Sequence, residues 1–266
     1  MSVVGDPELS ELGARLRGEI LGRERLEQAL ADEDDLDEFY HLYGHECCYA
    51  LVWARDALTR RERSLAVVAM IAAQAPASKT LQVHVRGAVR NGCSRAQLRQ
   101  ILAMVTWYAG VPVGSQATAT VRAALQSIPE AEAKNADASD GDPGPGDLIS
   151  RGRELRRRVL GESPPVEEPA HAAHAVHERA QDSHYFGMLW SNTDLTLEQR
   201  SIVLLGVICG SNRMDDAEIW LAAALRVGCK REELEEILLS AAFYCGELVY
   251  ARARRAFLSV IAEDNG

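Results

Sequence analysis

Seven histidines and six cysteines supply most of the side chains in this 266-residue chain that could move a proton or attack a substrate. His84 stands in "LQVHVRGAVRNG", a largely apolar and cationic run. Imidazole ordinarily titrates near neutrality, so a histidine set among apolar neighbours is a candidate proton-transfer group. Arg86, two residues on, is a candidate holder of an anionic substrate group. His184 opens "HYFGMLW", and His41 and His45, with Glu46 adjacent, precede Cys47 and Cys48. "HAAHAVH" places His171, His174 and His177 at spacings of three. Neighbouring members share a helix face, but the run drifts round the helix and no carboxylate completes a shell at a familiar spacing, so no metal site is expected. The cysteines are Cys47, Cys48, Cys93, Cys209, Cys229 and Cys245, with no Cys-x-x-Cys among them. Side chains at i and i+1 of a helix point about 100° apart, which makes Cys47–Cys48 a poor redox pair. No phosphate loop, nucleophile elbow or dinucleotide fingerprint occurs, and no cofactor is implied.

The elements that must position these groups occur twice. "ALTRRERSLAVVAMIAAQ" (57–74) lies over "DLTLEQRSIVLLGVICGS" (194–211), and "RNGCSRAQLRQILAMVTWYAG" (90–110) over "RVGCKREELEEILLSAAFYCG" (226–246). Upstream, "EILG" (19–22) echoes "RVLG" (158–161), and Trp53 matches Trp190. Between the copies, "SIPEAEAKNADASDGDPGPGD" has almost nothing apolar to bury and reads as a flexible linker. The expected organisation is a first domain over 1–126, a linker over 127–147 and a second domain over 148–266.

Both copies carry helical signals. Thr59 with Glu62, Thr196 with Gln199 and Ser94 with Gln97 fit capping boxes. Segments 63–73 and 200–209 are apolar nearly all round, which predicts central helices. Gly92 and Gly228 suit the left-handed residue after a helix end. Leu98, Ile101, Leu102 and Val105 recur at i, i+3, i+4 and i+7, as do Leu234, Ile237, Leu238 and Ala241. Alternating strand patterns are absent. The fold class expected is all-α, as two tandem homologous helical bundles.

With 47% hydrophobic residues the chain is globular, and a net charge of −10 speaks against nucleic acid or an anionic membrane as the main partner. The apolar run from Leu65 to Ala77 is too short to span a bilayer. "MSVVGDPELS" has neither the basic nor the apolar stretch of a signal peptide, so reduced thiols in the cytoplasm are expected.

These residues, "LTRRERSLAVVAMIAA…LQVHVRGAVRNGCSRAQLRQIL…YAGVP" and "HYFGMLW…DLTLEQRSIVLLGVICG…LRVGCKREELEEILLSAAFYCG", resemble the carboxymuconolactone decarboxylase family, within the alkylhydroperoxidase D-like superfamily. The resemblance covers most of the chain outside the linker and termini. Superfamily peroxidases carry a Cys-x-x-Cys pair before the motif histidine; here those positions are Ala77 and Thr80, and Arg213 and Asp216 in the second copy. Both copies instead carry the Arg-Ser of the decarboxylase branch, at 63–64 and 200–201. His84 matches the family histidine, while its counterpart is Trp220. His184 matches a second family histidine, whose first-copy position is Cys47. Each copy thus retains one of two histidines, which implies a composite pocket with His84 and His184 as acid–base groups, within one chain or across a subunit interface. His41 and His45 are candidates to replace the histidine missing at Cys47. Trp53 and Tyr108 recur as Trp190 and Tyr244, which points first to packing and then to a pocket lining. Arg63 and Arg200 are expected to pair with carboxylates. Lys79 and Thr80 stand where the family has acidic residues.

The resemblance implies a cofactor-independent lyase or isomerase acting on a small lactone or cyclic carboxylic acid. A non-catalytic binding or assembly protein and a thiol peroxidase are the alternatives. Single-copy relatives form rings of six, so three two-copy chains are expected to make a homotrimer.

Overall fold

The structure, a computed structural model, describes residues 5–23, 27, 37–128, 146–161 and 172–264; most of the expected linker lies outside these. Every regular element among the described residues is a helix. The first unit comprises α1 (Pro7–Leu21), α2 (Glu38–Leu42), a π-helix π1 (Tyr43–Trp53), α3 (Arg60–Gln74), α4 (Lys79–Arg90), α5 (Arg95–Ala109) and α6 (Val111–Gln126). The second repeats the order as α7 (Leu148–Leu160), α8 (Ala172–Ala180), π2 (Gln181–Trp190), α9 (Leu197–Gly210), α10 (Ala217–Val227), α11 (Arg231–Tyr244) and α12 (Glu247–Asp264).

The helix starts form as their sequences require. The Thr59 hydroxyl accepts the Glu62 N–H at 3.2 Å while the Glu62 carboxylate accepts the Thr59 N–H at 3.0 Å. Thr196 with Gln199 and Ser94 with Gln97 do the same. Gly92 and Gly228 follow α4 and α10 with φ of 91° and 114°, a region that Cβ penalises.

The two units share one continuous core. Helices α3 and α9 are buried along nearly their whole length and pack on each other at its centre. Their approach depends on glycine: a Cβ at Gly210 would lie 2.2 Å from the Met70 carbonyl oxygen, and one at Gly206 2.6 Å from that of Ala66. Each unit also reaches across the seam, α11 onto α3 and π1, and α5 onto α9 and π2.

Two buried arginines fasten the seam. Arg63 on α3 donates to Glu236 at 2.9 Å and Ser240 at 3.1 Å, both on α11. Arg200 on α9 donates to the Gln100 side chain on α5 at 3.1 Å and to the Asn192 carbonyl at 2.7 Å. Arg63 therefore meets a carboxylate as expected, whereas Arg200 meets an amide and backbone carbonyls. Burial lowers the Arg200 pKa to about 10.

In both units the first helix lies against the π-helix. A Cβ at Gly13 would be 1.8 Å from the His45 carbonyl oxygen, and one at Gly152 1.7 Å from that of Asp182. This closeness brings the next turn of α1, with Arg17, to the π1 side chains. π-Helical turns occur frequently at functional sites, and here one sits at the same place in both units.

Candidate active site

Helix α4 begins at Ser78, whose hydroxyl accepts the Leu81 N–H at 3.1 Å, and turns His84 inward. The ring is 7% exposed. It meets the ring of Tyr244 edge-on, with centroids 5.2 Å apart and planes at 86°. Tyr244 is the last residue of α11, so the second unit supplies one wall of the first unit's histidine site. The Tyr244 oxygen accepts from Trp53 Nε1 at 2.9 Å and lies 3.5 Å from Cys48 Sγ, both on π1. An indole N–H only donates, so the Tyr244 O–H proton is directed elsewhere, to the Tyr49 hydroxyl or the Cys48 sulfur.

Arg17 Nη1 lies 3.1 Å from His41 Nδ1 and 3.2 Å from His45 Nε2. A guanidinium only donates, so both ring nitrogens accept and both imidazoles carry their proton on the other nitrogen. Burial, then the charge of Arg17, lowers the His45 pKa to about 4. Burial first and Arg17 second lower that of His84 to about 3. The site therefore holds neutral imidazoles and one guanidinium at pH 7.

The thiols are in the opposite condition from a peroxidase nucleophile. All six cysteines are free. Burial pushes the Cys48 pKa up to about 11, and those of Cys93, Cys229 and Cys245 up to about 12. It raises those of Cys47 and Cys209 as well.

The corresponding place in the second unit is occupied differently. Trp220 stands where His84 does and meets Tyr108 edge-on at 5.7 Å and 88°, so Tyr108 plays the part of Tyr244. Trp220 also stacks on Trp190 at 5.8 Å, and Tyr185 packs on both Tyr108 and Trp107. The Tyr108 hydroxyl and Trp190 Nε1 are buried without a hydrogen-bond partner among the described residues. An aromatic cluster fills this centre and leaves no titratable imidazole in it.

The residues singled out from the sequence thus fall into separate places. His84, His45 and Trp53 gather in the first centre, whereas Tyr108 and Trp190 line the second. Arg86 lies about 200° round α4 from His84 and donates to Ser127 beyond α6 at 3.2 Å. His184 is exposed on π2, its Nδ1 2.7 Å from the Ser183 hydroxyl, and no hydrogen bond or ring contact links it to His84. Trp190 borders a cleft of about 480 Å³ beside α7, with Arg151, Glu154 and Arg158 across it; His84 does not line that cleft. His171 lies outside the described residues, and His174 and His177 are exposed. Among the described residues no group of three or more His, Cys, Asp or Glu could hold a metal ion, and no helix is long and apolar enough to cross a membrane.

Sequence reasoning missed Arg17 and Cys48, and it named Tyr244 only as the recurrence of Tyr108. The available signal for Arg17 was its recurrence as Arg156 at the same distance before "EILG" and "RVLG".

The profile of the carboxymuconolactone decarboxylase family matches residues 38–123 and 177–258. The chain belongs to this family. The first matched segment carries His84 and Tyr108 and the second Trp220 and Tyr244, so each lends a tyrosine to the other's centre, and α1, which brings Arg17, precedes the first. The chain is 25% identical over 114 residues to a 4-carboxymuconolactone decarboxylase from Acinetobacter baylyi, covering 43% of this chain and 84% of that protein. It is 31% identical over 104 residues to a nitrosuccinic acid decarboxylase from Metarhizium robertsii, covering 39% of this chain and 72% of that one. These two relatives are thus decarboxylases named for different acids.

Proposed function

We propose that the protein is a cofactor-independent decarboxylase of a small lactone or cyclic carboxylic acid, working at the His84 centre. The observation that carries this reading is a buried imidazole, kept neutral by its burial and by the charge of Arg17, set edge-on to the ring of Tyr244. Departure of CO2 breaks a carbon–carbon bond, and its electron pair moves into a conjugated carbonyl. A proton then reaches carbon and is replaced from water. A neutral imidazole suits both ends of that sequence. Its N–H proton passes to the carbon while its bare nitrogen takes a proton from water, so the imidazole ends neutral and the hydroxide left behind combines with CO2 as bicarbonate. The ring of Tyr244, fixed through its hydroxyl by Trp53 and Cys48, holds the imidazole in place. Desolvation around His84 favours loss of the charged carboxylate.

The test is release of CO2 from 4-carboxymuconolactone and from nitrosuccinate, the acids named for the two relatives. The wild-type chain is compared with His84→Ala, and folding is checked by circular dichroism. Loss of the imidazole should lower kcat/KM by about 10²- to 10⁴-fold. Equal CO2 release by a folded His84→Ala variant would overturn the proposal. Iodoacetamide treatment should leave turnover intact, because no thiol is ionised; loss of turnover on alkylation would favour thiol chemistry.

A further inference from the structure

We propose that Arg17, held by His41 and His45, is the seat for the carboxylate of a ligand at the His84 centre, and that the second unit fills the equivalent seat with its own Asp182.

The argument compares the two units position by position. Arg156 on α7 corresponds to Arg17 on α1, five residues ahead of Gly161 as Arg17 is ahead of Gly22. The π-helix residue facing it is His45 in the first unit and Asp182 in the second. The glycine contacts confirm the match, since Gly13 presses on the His45 carbonyl and Gly152 on that of Asp182. One helical turn earlier, His41 corresponds to Glu178.

In the second unit a carboxylate does sit before the arginine. Asp182 is buried, accepts from Arg153 Nε at 2.8 Å and lies 3.7 Å from Arg156 Nη1. There the Asp182 carboxylate lies between two arginines, and Glu178 adds a further negative charge near Arg153. In the first unit Arg17 faces two imidazoles, which cannot neutralise it, and among the described residues no carboxylate pairs with it. A half-buried guanidinium held by neutral acceptors presents its remaining donors to an anion, and carboxylate matches that fork. Asp182 shows, inside the same chain, the kind of group that the geometry accepts. The seat is in electrostatic reach of His84, whose protonation Arg17 disfavours. An acid anchored there would lie within electrostatic reach of the imidazole.

The inference rests on the proposed decarboxylase for the role of His84; the seat itself is argued from charge and position. Succinate, an unreactive dicarboxylate, is the probe. Isothermal titration of the full chain should show one succinate per chain. Arg17→Gln should weaken binding at least about tenfold, and Arg17→Lys less. His45→Asp should weaken it similarly, because it installs the second unit's internal carboxylate. Arg156→Gln, in the other unit, should leave binding unchanged. Thermal melts identify any variant that fails to fold, and Arg17→Lys against Arg17→Gln decides the matter if His45→Asp does fail. Absence of saturable binding, two equivalents per chain, or binding indifferent to Arg17→Gln would each overturn the seat. The two readings fail separately. One succinate lost with Arg17, but no CO2 release from either acid, leaves the seat standing and removes the decarboxylase. CO2 release that needs His84 but not Arg17 does the reverse.

Discussion

The imidazole of His84 is a different reagent in the fold from the one its residue type promises. Free histidine titrates near 6.5, but burial and Arg17 lower His84 to about 3. Between those values the unfolded chain binds the proton and the folded chain does not, so stability rises with pH across this window. The contribution is intact above about 6.5 and erodes as the pH falls towards 3, by up to about 1.4 kcal/mol per pH unit. His45, lowered to about 4, acts in the same direction. His84→Asn should flatten the dependence of melting temperature on pH between 6.5 and 4, which a set of buffered thermal melts would register. For the same reason kcat/KM should show no inflection near 6.5. Tyr244 and Tyr108 provide an internal control. Tyr244→Phe strands the Trp53 N–H and should cost about 1–3 kcal/mol of stability, with kcat lowered because the ring that holds the imidazole loses its own anchor. Tyr108→Phe removes a hydroxyl that has no partner among the described residues and should change stability by less than about 0.5 kcal/mol and turnover not at all. Denaturant titration and a CO2 assay of the two variants decide between these roles.

At the scale of the elements, the seam between the units carries both the fold and the site. Glu236 on α11 holds Arg63 and Arg55 at once, and its side chain and that of Arg63 are almost wholly buried. Glu236→Ala leaves the Arg63 charge stranded, and chemical denaturation should show a loss of about 3–5 kcal/mol. Gln100→Ala removes only one neutral acceptor from Arg200 and should cost less, about 1–3 kcal/mol. The helices themselves were legible in the sequence because local rules dictate them. Threonine and serine caps, glycine stops and apolar periodicity at 94–105 and 231–241 act within one or two turns. What crosses the seam was not legible. Nothing near His84 in the sequence announces that Tyr244, 160 residues later, will face it. Arg86 illustrates the converse: adjacency to His84 along the chain placed it on another face of α4, where it bonds to Ser127. Retention of one histidine in each copy suggested a two-imidazole pocket, within one chain or across subunits; in the single chain the π2 backbone sets His184 on the surface. Here the π-helix decides, and no pattern of caps or periodicity distinguished it from an α-helix.

Across the whole molecule, duplication has led to division of labour: one unit holds the imidazole, and the other lends it a tyrosine and closes its own centre with tryptophan. The same comparison bears on assembly. Both units expose large apolar side chains at matching places on the outside of the π-helix layer. Leu51 is 49% exposed and its counterpart Met188 48%; Phe39 is 64% exposed and its counterpart Val176 71%. A scatter of exposed apolar groups needs no explanation, but repetition at equivalent positions of two diverged units is what a repeated interface requires. We propose a homotrimer in which these faces meet, first unit to second, so that three chains close a ring of six similar units. Light scattering should then give three times the chain mass of 29.1 kDa. Leu51→Glu with Met188→Glu would place a charge on both sides of each contact and should release single chains. Those chains should keep their helical circular dichroism, because neither side chain belongs to the shared core. A wild-type chain that scatters as a monomer at micromolar concentration would remove the ring, and the exposed positions would then count as ordinary surface.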